Sequence, residues 1–167
     1  MNTWTEKSTN QDKAEGQKNP LAFRVSASST LQEEGYDHST AALLDRNPAT
    51  CWIEGVDGVG IGEYLLFDSE EKQSVRGIAV LPGYLSSEDI YTKNGSPLEL
   101  EIKAGDRIWT KRLESYVPNF SAPMDSMIYI DFGQSISVDS CIVTIKDSRS
   151  GTKYDDICIA EMFLYGE

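Results

Sequence analysis

The sequence predicts an all-β protein, a sandwich or barrel of short antiparallel strands. The first observation is that apolar residues recur at every second position in several segments, which is the period of a strand with one buried face. The second is that glycine-rich and Asn-Pro turn signals separate these segments. The third is that long helical periodicity is absent. Seven or more short strands divided by turns are typical of a β-sandwich or barrel.

The individual elements follow from this pattern in chain order. Residues 1–20 are polar and aperiodic, which predicts a disordered linker ahead of a domain over residues 21–167. Residues 40–44 form the one segment that we expect to be a helical turn. Strands are expected over the ranges 64–67, 75–81, 98–104, 108–113, 128–132, 141–145 and 157–165.

The later strands show the alternation most clearly. Leu98, Leu100 and Ile102 alternate with charged residues, and Gly105-Asp106 predicts a tight hairpin turn into residues 108–113. The same alternation places on buried faces Ile128, Ile130, Phe132, Cys141, Val143 and Ile145. In the last strand we expect one face to hold Ile157, Ile159, Phe163 and Tyr165, and the other to hold Cys158, Ala160, Met162 and Leu164.

The charge balance restricts the class of ligand. The 167 residues carry a formal net charge of −12, with 27 acidic and 15 basic side chains. Such a chain repels the phosphates of nucleic acids and favours cations. No apolar run reaches the roughly 18 residues of a membrane-spanning helix. The N-terminal residues also lack the apolar core of a signal peptide, and we draw no cytoplasmic assignment from that.

Three cysteines leave room for one disulfide at most. Cys141 alternates with apolar residues and is expected to be a buried, inert thiol. Cys51 and Cys158 lie in two acidic, aromatic segments, residues 45–64 and 154–163, which we expect to meet at one binding end. A Cys51–Cys158 disulfide is therefore a hypothesis, and the alternative is three free thiols.

The segment from Asp45 to Trp52 reads Asp-Arg-Asn-Pro-Ala-Thr-Cys-Trp. Asn-Pro indicates a turn, in which an Asp or Asn side chain bonds the local backbone. One interpretation is a surface turn that precedes a core tryptophan. The other is a calcium loop, because calcium takes about six to eight oxygen ligands and a tight turn supplies carbonyls beside carboxylates.

These motifs together resemble a known family. The resemblance rests on Asp-x-Asn-Pro-x-Thr-x-Trp, on residues 25–29, 51–55, 60–63, 82–84 and 91–94, and on residues 151–163. This combination looks like the discoidin-type, galactose-binding-like domain. It is most similar to the glycan-binding, or translocation, domain attached to bacterial NAD glycohydrolases. The resemblance covers roughly residues 22–166. The resemblance implies a jelly-roll β-sandwich with neighbouring chain ends, in a secreted, periplasmic or cell-surface bacterial protein.

The resemblance also implies a structural calcium between the first turn and the last strand. Carried over by position, its ligands are the Asp45 carboxylate, the Asn47 carbonyl, Thr50, the Ala160 carbonyl and the Glu161 carboxylate, with the Leu43 carbonyl as a further candidate. One position departs from the family, which usually has glycine where this chain has Arg46. An ion pair of Arg46 with Asp45 or with Glu161 is therefore the alternative to the metal.

A second set of residues is a candidate sugar-binding surface. Sugars stack their apolar faces on aromatic rings, while carboxylates and amides bond their hydroxyls. By these two criteria, and with the family resemblance, the candidate sugar-binding residues are Trp52, Glu54, Tyr84, Tyr91, Asn94, Tyr154, Asp155 and Asp156. The alternative is that the aromatic residues belong to the core and the acids are solvated. Lys93 is expected either to pair with these acids or to contact an acidic ligand.

Enzyme motifs are mostly missing from the sequence. His38 is the only histidine, and its polar loop predicts a surface residue. The glycines at 55, 58, 60 and 62 lack the Gly-Lys-Ser/Thr ending of a phosphate loop, so we expect a tight loop that leads into a strand. Numerous carboxylates keep a two-acid glycosidase as a remote alternative. The leading hypothesis is a non-catalytic carbohydrate-binding module, and the runner-up is a protein-interaction or adhesion module that uses the same loops.

Overall fold

The computed structural model describes residues 18–113 and 115–167. The fold is all-β, as predicted, with seven strands: β1 Arg24–Ala27, β2 Trp52–Ile53, β3 Tyr64–Pro82, β4 Ser96–Ala104, β5 Arg107–Arg112, β6 Ile128–Arg149 and β7 Cys158–Tyr165. One α-helix, α1, spans Glu88–Lys93, and two 3-10 helices span Thr40–Leu44 and Pro123–Ser126. Within residues 18–113 and 115–167, no helix is long and apolar enough to cross a membrane.

Two long strands build the sandwich, because β3 and β6 each change register along their length. The first half of β3 pairs with β1 and with the second half of β6, which continues into β4 and β5. The second half of β3 pairs with the first half of β6 and with β7, which continues into β2. Side chains from both halves meet in one apolar core, and each buried Leu, Ile or Phe contributes about 1.5–3 kcal/mol of transfer free energy.

The predicted alternation is confirmed in the central strands. Leu100, Ile102, Cys141, Val143 and Ile145 are all buried in the main core, while Lys103 and Lys146 are exposed. The predicted hairpin is confirmed as well, since Ala104 pairs with Arg107 across a two-residue turn. Residues 64–67 and 75–81, which we expected to be separate strands, belong to the single strand β3.

The predicted faces of the last strand are wrong beyond Ile159. Ile159 packs into the main core, but so do Met162 and Leu164, while Phe163 and Tyr165 pack on the opposite face. The cause is a register shift, in which Leu81 pairs with Glu161 and Pro82 pairs with Ile159. Such a bulge inserts one residue and exchanges the faces of the strand that follows.

The prediction of one helical segment is confirmed for Thr40–Leu44 but missed α1. Ser87 caps α1, since its hydroxyl accepts a hydrogen bond from the Ile90 amide at 3.1 Å. Glu88 and Asp89 in the first turn favour the positive end of the helix dipole. This Ser-Glu-Asp start was a readable signal in the sequence.

The N-terminal segment of the described chain lies beside its C terminus, because the Leu21 amide donates to the Leu164 carbonyl at 2.8 Å. This contact fits the neighbouring chain ends that the family resemblance implies. Most of the predicted linker, residues 1–17, lies outside the described residues. The division into linker and domain stays a prediction.

Candidate functional site

Four loops meet at one end of the sandwich, and backbone hydrogen bonds join them. The Leu31 amide donates to the Ile53 carbonyl at 2.8 Å, which ties the loop over residues 29–38 to β2. The remaining ties run from the Glu54 amide to the Ile157 carbonyl (3.2 Å), from the Gly83 amide to the Cys158 carbonyl (2.9 Å) and from the Gly95 amide to the Asp156 carbonyl (2.9 Å). The fold therefore gathers at one end the segments from which the sequence predicted a binding surface. We call this end the loop end.

Trp52 is not a contact residue of this end, which corrects the prediction. Its side chain has no exposed surface and lies in the main core. Its indole nitrogen donates to the Ser29 carbonyl at 3.1 Å and faces the Thr30 hydroxyl at 3.2 Å. A buried indole with its polar atom satisfied cannot stack on a sugar. Trp52 instead fixes the position of the loop over residues 29–38.

Glu54 is also buried, which corrects its assignment as a surface acceptor. Its carboxylate accepts hydrogen bonds from the Ile157 amide at 2.7 Å and the Val56 amide at 3.1 Å. Burial raises the pKa of Glu54, although these two amides lower it. A Cβ atom on Gly60 would lie 2.5 Å from the Glu54 carboxyl carbon, so the glycine loop closes directly over this side chain. Glu54 thus joins the glycine loop to the start of β7.

Asn94 and Tyr91 support the loop end from below. Asn94 is buried, and its side-chain amide donates to the Ile90 carbonyl at 2.9 Å, so it terminates α1 instead of contacting a ligand. The Arg149 guanidinium covers the half-buried Tyr91 ring at 4.5 Å, and Phe120 meets that ring edge-on. With these contacts in place, Tyr91 acts as a packing residue.

The sequence reasoning missed Tyr36, the more exposed of two tyrosines at the loop end, the other being the predicted Tyr154. Tyr36 is 64% exposed, and its ring stacks on His38 with centroids 5.9 Å apart and planes 4° from parallel. His38 is buried, not on the surface as predicted, and its Nε2 lies 2.8 Å from Glu33 Oε1. The half-buried Tyr84 meets the other side of His38 edge-on, at 6.2 Å. A histidine in a polar loop next to a tyrosine was the only signal that could have indicated this group.

The surroundings of this group are acidic. Burial raises the pKa of Asp156, and the neighbouring carboxylates of Asp155, Asp57 and Glu33 raise it further. Burial also raises the pKa of Tyr84, with smaller contributions that include Glu33. We call the set of Glu33, Tyr36, His38, Tyr84 and Asp156 the Tyr36 surface.

Two other predicted residues and Lys93 lie outside the Tyr36 surface. Tyr154 and Asp155 are exposed, and the Lys153 ammonium lies 5.3 Å from the Tyr154 ring centre. Lys93 pairs with Asp89 at 2.8 Å, one helical turn away, and not with the acids of the loop end. That ion pair disfavours the predicted role of Lys93 at the site.

The turn that begins at Asp45 is closed by its own side chains. Asp45 accepts hydrogen bonds from the Asn47 amide at 2.9 Å and the Thr50 hydroxyl at 2.5 Å. The Asn47 side chain accepts a hydrogen bond from the Ala49 amide at 3.0 Å. The backbone carbonyl of Asn47 accepts another from the Thr50 hydroxyl, also at 3.0 Å. Three of the five residues that the family resemblance assigns to a metal, Asp45, Asn47 and Thr50, therefore lie together on one turn.

Glu161 faces this turn from the bulge of β7. It has no exposed surface, and neither of its carboxylate oxygens has a hydrogen-bond partner. Burial raises the pKa of Glu161 to about 8, and the Asp45 carboxylate adds to the shift. The amides of Arg46 and Asn47 face the carboxylate and partly lower its pKa, but neither meets hydrogen-bond geometry. Leaving such a group unpaired costs free energy.

Arg46 departs from the family only in its side chain. Its φ angle is 60°, the left-handed conformation that glycine adopts without strain. The guanidinium lies 5.6 Å from the ring centre of Phe163, and within residues 18–113 and 115–167 Arg46 forms no ion pair with Asp45 or Glu161. The predicted ion pair is therefore not formed, although the positive charge of Arg46 still lowers the pKa of Glu161.

A metal at this turn would depend on backbone oxygens. No group of three or more His, Cys, Asp or Glu side chains with metal-binding geometry occurs in the described part of the chain. Calcium does not require one, because it accepts carbonyl and hydroxyl oxygens as readily as carboxylates. The donor set here, with two carboxylates and only oxygen ligands, suits calcium and not zinc.

Comparison with known proteins identifies the family of the chain. The model of the NAD glycohydrolase translocation F5/8 type C domain family matches residues 18–165. No curated protein sequence matches the chain significantly.

Solved structures share the fold at low sequence identity. The family 32 carbohydrate-binding module of C. perfringens NanJ, solved with galactose, is 20% identical and covers 86% of this chain and 93% of its own, with a TM-score of 0.56. The C. perfringens module CpGH89CBM32-5, solved with GalNAc-beta-1,3-galactose, is 13% identical over 86% of this chain and 94% of its own, with a TM-score of 0.60. At these identities the likeness shows the fold alone, a galactose-binding-like β-sandwich.

A mycobacterial enzyme contains the same fold as one part of a larger chain. The arabinofuranosyltransferase AftD from Mycobacteria is 19% identical over 85% of this chain, with a TM-score of 0.61. Only 11% of the AftD chain is covered, so this chain spans about a tenth of that length.

Proposed function

Because the chain belongs to the NAD glycohydrolase translocation F5/8 type C domain family, we propose that it is a non-catalytic carbohydrate-binding module of a secreted bacterial protein. The observation that carries this proposal is the Tyr36 surface. It presents an exposed aromatic ring next to carboxylate and phenol oxygens, which is the chemistry that sugars require. The structural neighbours that were solved with sugars support the same function class.

Each residue of the Tyr36 surface has a role in this proposal. The Tyr36 ring receives the apolar face of the sugar, and its stacking on His38 fixes the orientation of that ring. Glu33 and Asp156 accept hydrogen bonds from hydroxyl groups, and Tyr84 supplies a phenol oxygen. Glu33 also holds His38 through the 2.8 Å contact, so the support and the contact surface are connected. A surface this shallow and this small predicts weak binding.

The charge of the loop end predicts which sugars bind. Asp57, Asp155 and Glu33 lie close enough to Asp156 to raise its pKa, and the four carboxylates disfavour a carboxylate or sulfate on the ligand. We therefore expect neutral sugars to bind more tightly than acidic ones. Galactose and N-acetylgalactosamine are the first probes, because two structural neighbours were solved with them.

We also propose that the turn over residues 45–50 holds a structural calcium. The orphaned Glu161 carboxylate, buried against the Asp45 turn, supports this, because a divalent cation would compensate it. The ligands would be Asp45, Asn47, Thr50, Ala160 and Glu161. Bound calcium would supply positive charge and no catalytic chemistry, and so would stabilise the contact between this turn and β7.

A glycan array followed by calorimetric titration tests the proposed function. Wild-type protein should bind neutral glycans, and Tyr36→Ala should weaken that binding at least about tenfold, which corresponds to roughly 1.4 kcal/mol. The matched control is Tyr129→Ala, because Tyr129 is also exposed but packs edge-on against Tyr165, outside the Tyr36 surface. Binding that survives Tyr36→Ala unchanged would reject this surface, and absence of binding to any glycan would reject the function.

One observation favours a protein partner as the second candidate. Val59 and Ile61 project from the glycine loop and are 43% and 52% exposed, and two neighbouring apolar side chains suit a protein contact. A protein partner that is captured by the wild type, is lost with Val59→Ser, and is unaffected by excess galactose would support this alternative over the carbohydrate-binding module.

A further inference from the structure

Two buried cysteines lie together beneath the loop end. Cys51 and Cys158 are both essentially unexposed, and they belong to the same small apolar cluster as Ile53, Leu81 and Ala160. Cys141 lies in the main core, which is a different cluster. The structure shows all three as thiols. The proposed function uses none of them.

Strand pairing explains why these two thiols share one side of the sheet. β2 and β7 are antiparallel, with Ile53 opposite Cys158 and Trp52 opposite Ile159. Side chains alternate along a strand, so Cys51 points to the same side as Ile53 and therefore as Cys158. The two cysteines are diagonal neighbours, and their thiols lie close enough that the Cys158 thiol interacts with that of Cys51.

We infer that Cys51 and Cys158 form a structural disulfide that links β2 to β7 beneath the loop end. The bond forms by thiol–disulfide exchange with a disulfide donor such as oxidised glutathione. One cysteine thiolate attacks the donor and releases one thiol, and the second cysteine then displaces the other. The two protein thiols lose two hydrogens in total, and the donor gains them as two thiols.

Burial determines when this exchange can occur. Burial raises the pKa of the Cys51 thiol well above its ordinary value, with the neighbouring Cys158 thiol adding to the effect. The thiolate is the attacking species, so the folded, reduced protein should react slowly. We therefore expect the disulfide to form during folding, and to resist reduction once it is enclosed.

The position of the bond connects it to the loop end. Cys158 exchanges backbone hydrogen bonds with two residues that flank α1, donating to the Gly95 carbonyl at 3.1 Å and accepting from the Gly83 amide at 2.9 Å. Leu31, Tyr84 and Tyr91 pack against the same apolar cluster. The bond would thus join the segment that carries Tyr84 to β2, the strand that follows the turn over residues 45–50.

The test is to refold the protein from denaturant in two buffers, one with oxidised and reduced glutathione and one with excess reductant. Peptide mapping without reduction should find one cross-linked pair, Cys51 with Cys158, in the oxidised sample only. The cross-link should raise the melting temperature by about 10 °C, because it closes a long loop of the unfolded chain. Cys141→Ala should leave the cross-link and the increase intact, and Cys51→Ala should abolish both.

Three results would overturn the inference. They are three free thiols in the oxidised sample, a cross-link that involves Cys141, and a melting temperature that is equal in both buffers. Peptide mapping is done on wild-type protein, so it remains decisive even if a variant fails to fold. None of these measurements involves a sugar, so their failure is distinguishable from failure of the carbohydrate-binding function.

Discussion

The Glu161 carboxylate is buried against the turn that begins at Asp45, and neither of its oxygens is hydrogen-bonded. Burial raises the pKa of Glu161 and the Asp45 carboxylate raises it further, while the positive charge of Arg46 offsets only part of the shift. A cation between the two carboxylates would remove the remaining cost. The stability of the contact between β7 and the Asp45 turn therefore depends on how the charge of Glu161 is compensated.

Calcium should stabilise the protein through Glu161. At a concentration of about 100 times its Kd, a ligand that binds only the folded state adds about 2.7 kcal/mol, and the melting temperature should rise accordingly. Glu161→Gln should remove most of this response. It should also stabilise the calcium-free protein above about pH 5, because glutamine is neutral without taking up the proton that the buried Glu161 carboxyl favours. Differential scanning calorimetry with calcium or with chelator measures both effects.

The control for this prediction is Glu70→Gln, because Glu70 is an exposed carboxylate on β3. It should leave the calcium response unchanged. A melting temperature of the wild type that is equal with calcium and with chelator would show that the Asp45 turn does not hold the metal.

Stability should depend on pH through Glu54. Burial raises the folded-state pKa of this carboxyl above the ordinary value of 4.5. The folded state then binds the proton more tightly than the unfolded state, so the stabilisation is fully present below the unfolded pKa. It is lost as pH rises through the folded pKa. Glu54→Gln should remove this component.

Urea unfolding at several pH values between about 4 and 8 measures that component. The free energy of unfolding of the wild type, relative to that of Glu54→Gln, should decrease as pH increases over this range. Glu34→Gln, which changes an exposed carboxylate, serves as the control. A constant or increasing difference would contradict the direction of the Glu54 shift.

Substitutions at Trp52 and at Tyr36 should have opposite effects, the first on the stability of the fold and the second on glycan binding. Trp52→Phe removes the indole donor that faces Ser29 and Thr30 inside the core, so it should destabilise the fold by about 1–3 kcal/mol. Protein that remains folded should still bind the glycan. Tyr36→Ala should do the reverse, with a small change in stability and a large loss of binding. Equal binding losses in both variants would show that the indole belongs to the contact surface.

Two glycines of the same loop should respond differently to alanine. In Gly60→Ala the new methyl group would lie 2.5 Å from the Glu54 side chain, which overpacks a buried site and should cost about 1–3 kcal/mol. In Gly58→Ala the new methyl group would meet no atom within 4 Å. The cost there is only the strain of an alanine at a φ of 78°, about 1 kcal/mol. Thermal unfolding compares the two variants, and a larger loss at Gly58 would disprove the contact between Gly60 and Glu54.

Period-two alternation was enough to predict the strands, because the buried faces of β4 and β6 are built from regularly spaced apolar residues. It failed in the last strand, where every residue from Cys158 to Tyr165 is buried and alternation no longer distinguishes the faces. The bulge at Ala160 and Glu161 left no mark in the residue types. It is nevertheless the feature that places Glu161 against the Asp45 turn.

The sequence predicted which segments form the candidate site, but not which side chains of those segments are exposed there. The chosen loops do converge, but residue type could not separate a buried aromatic such as Trp52 from an exposed one such as Tyr36. Both are aromatic residues next to acids and small residues. His38 was assigned to the surface because its loop is polar, whereas contacts with Glu33, Tyr36 and Tyr84 enclose it.

Amide chemical-shift mapping during a galactose titration shows directly whether the Tyr36 surface binds the sugar. We expect fast-exchange shifts confined to residues 33–38, Tyr84 and residues 155–157, and their loss in Tyr36→Ala. A glucose titration under the same conditions shows whether the site distinguishes two neutral sugars. Shifts that are absent with every neutral sugar, or that cluster on the β4–β5 hairpin at the turn over residues 105–106, would contradict the Tyr36 surface as the carbohydrate site.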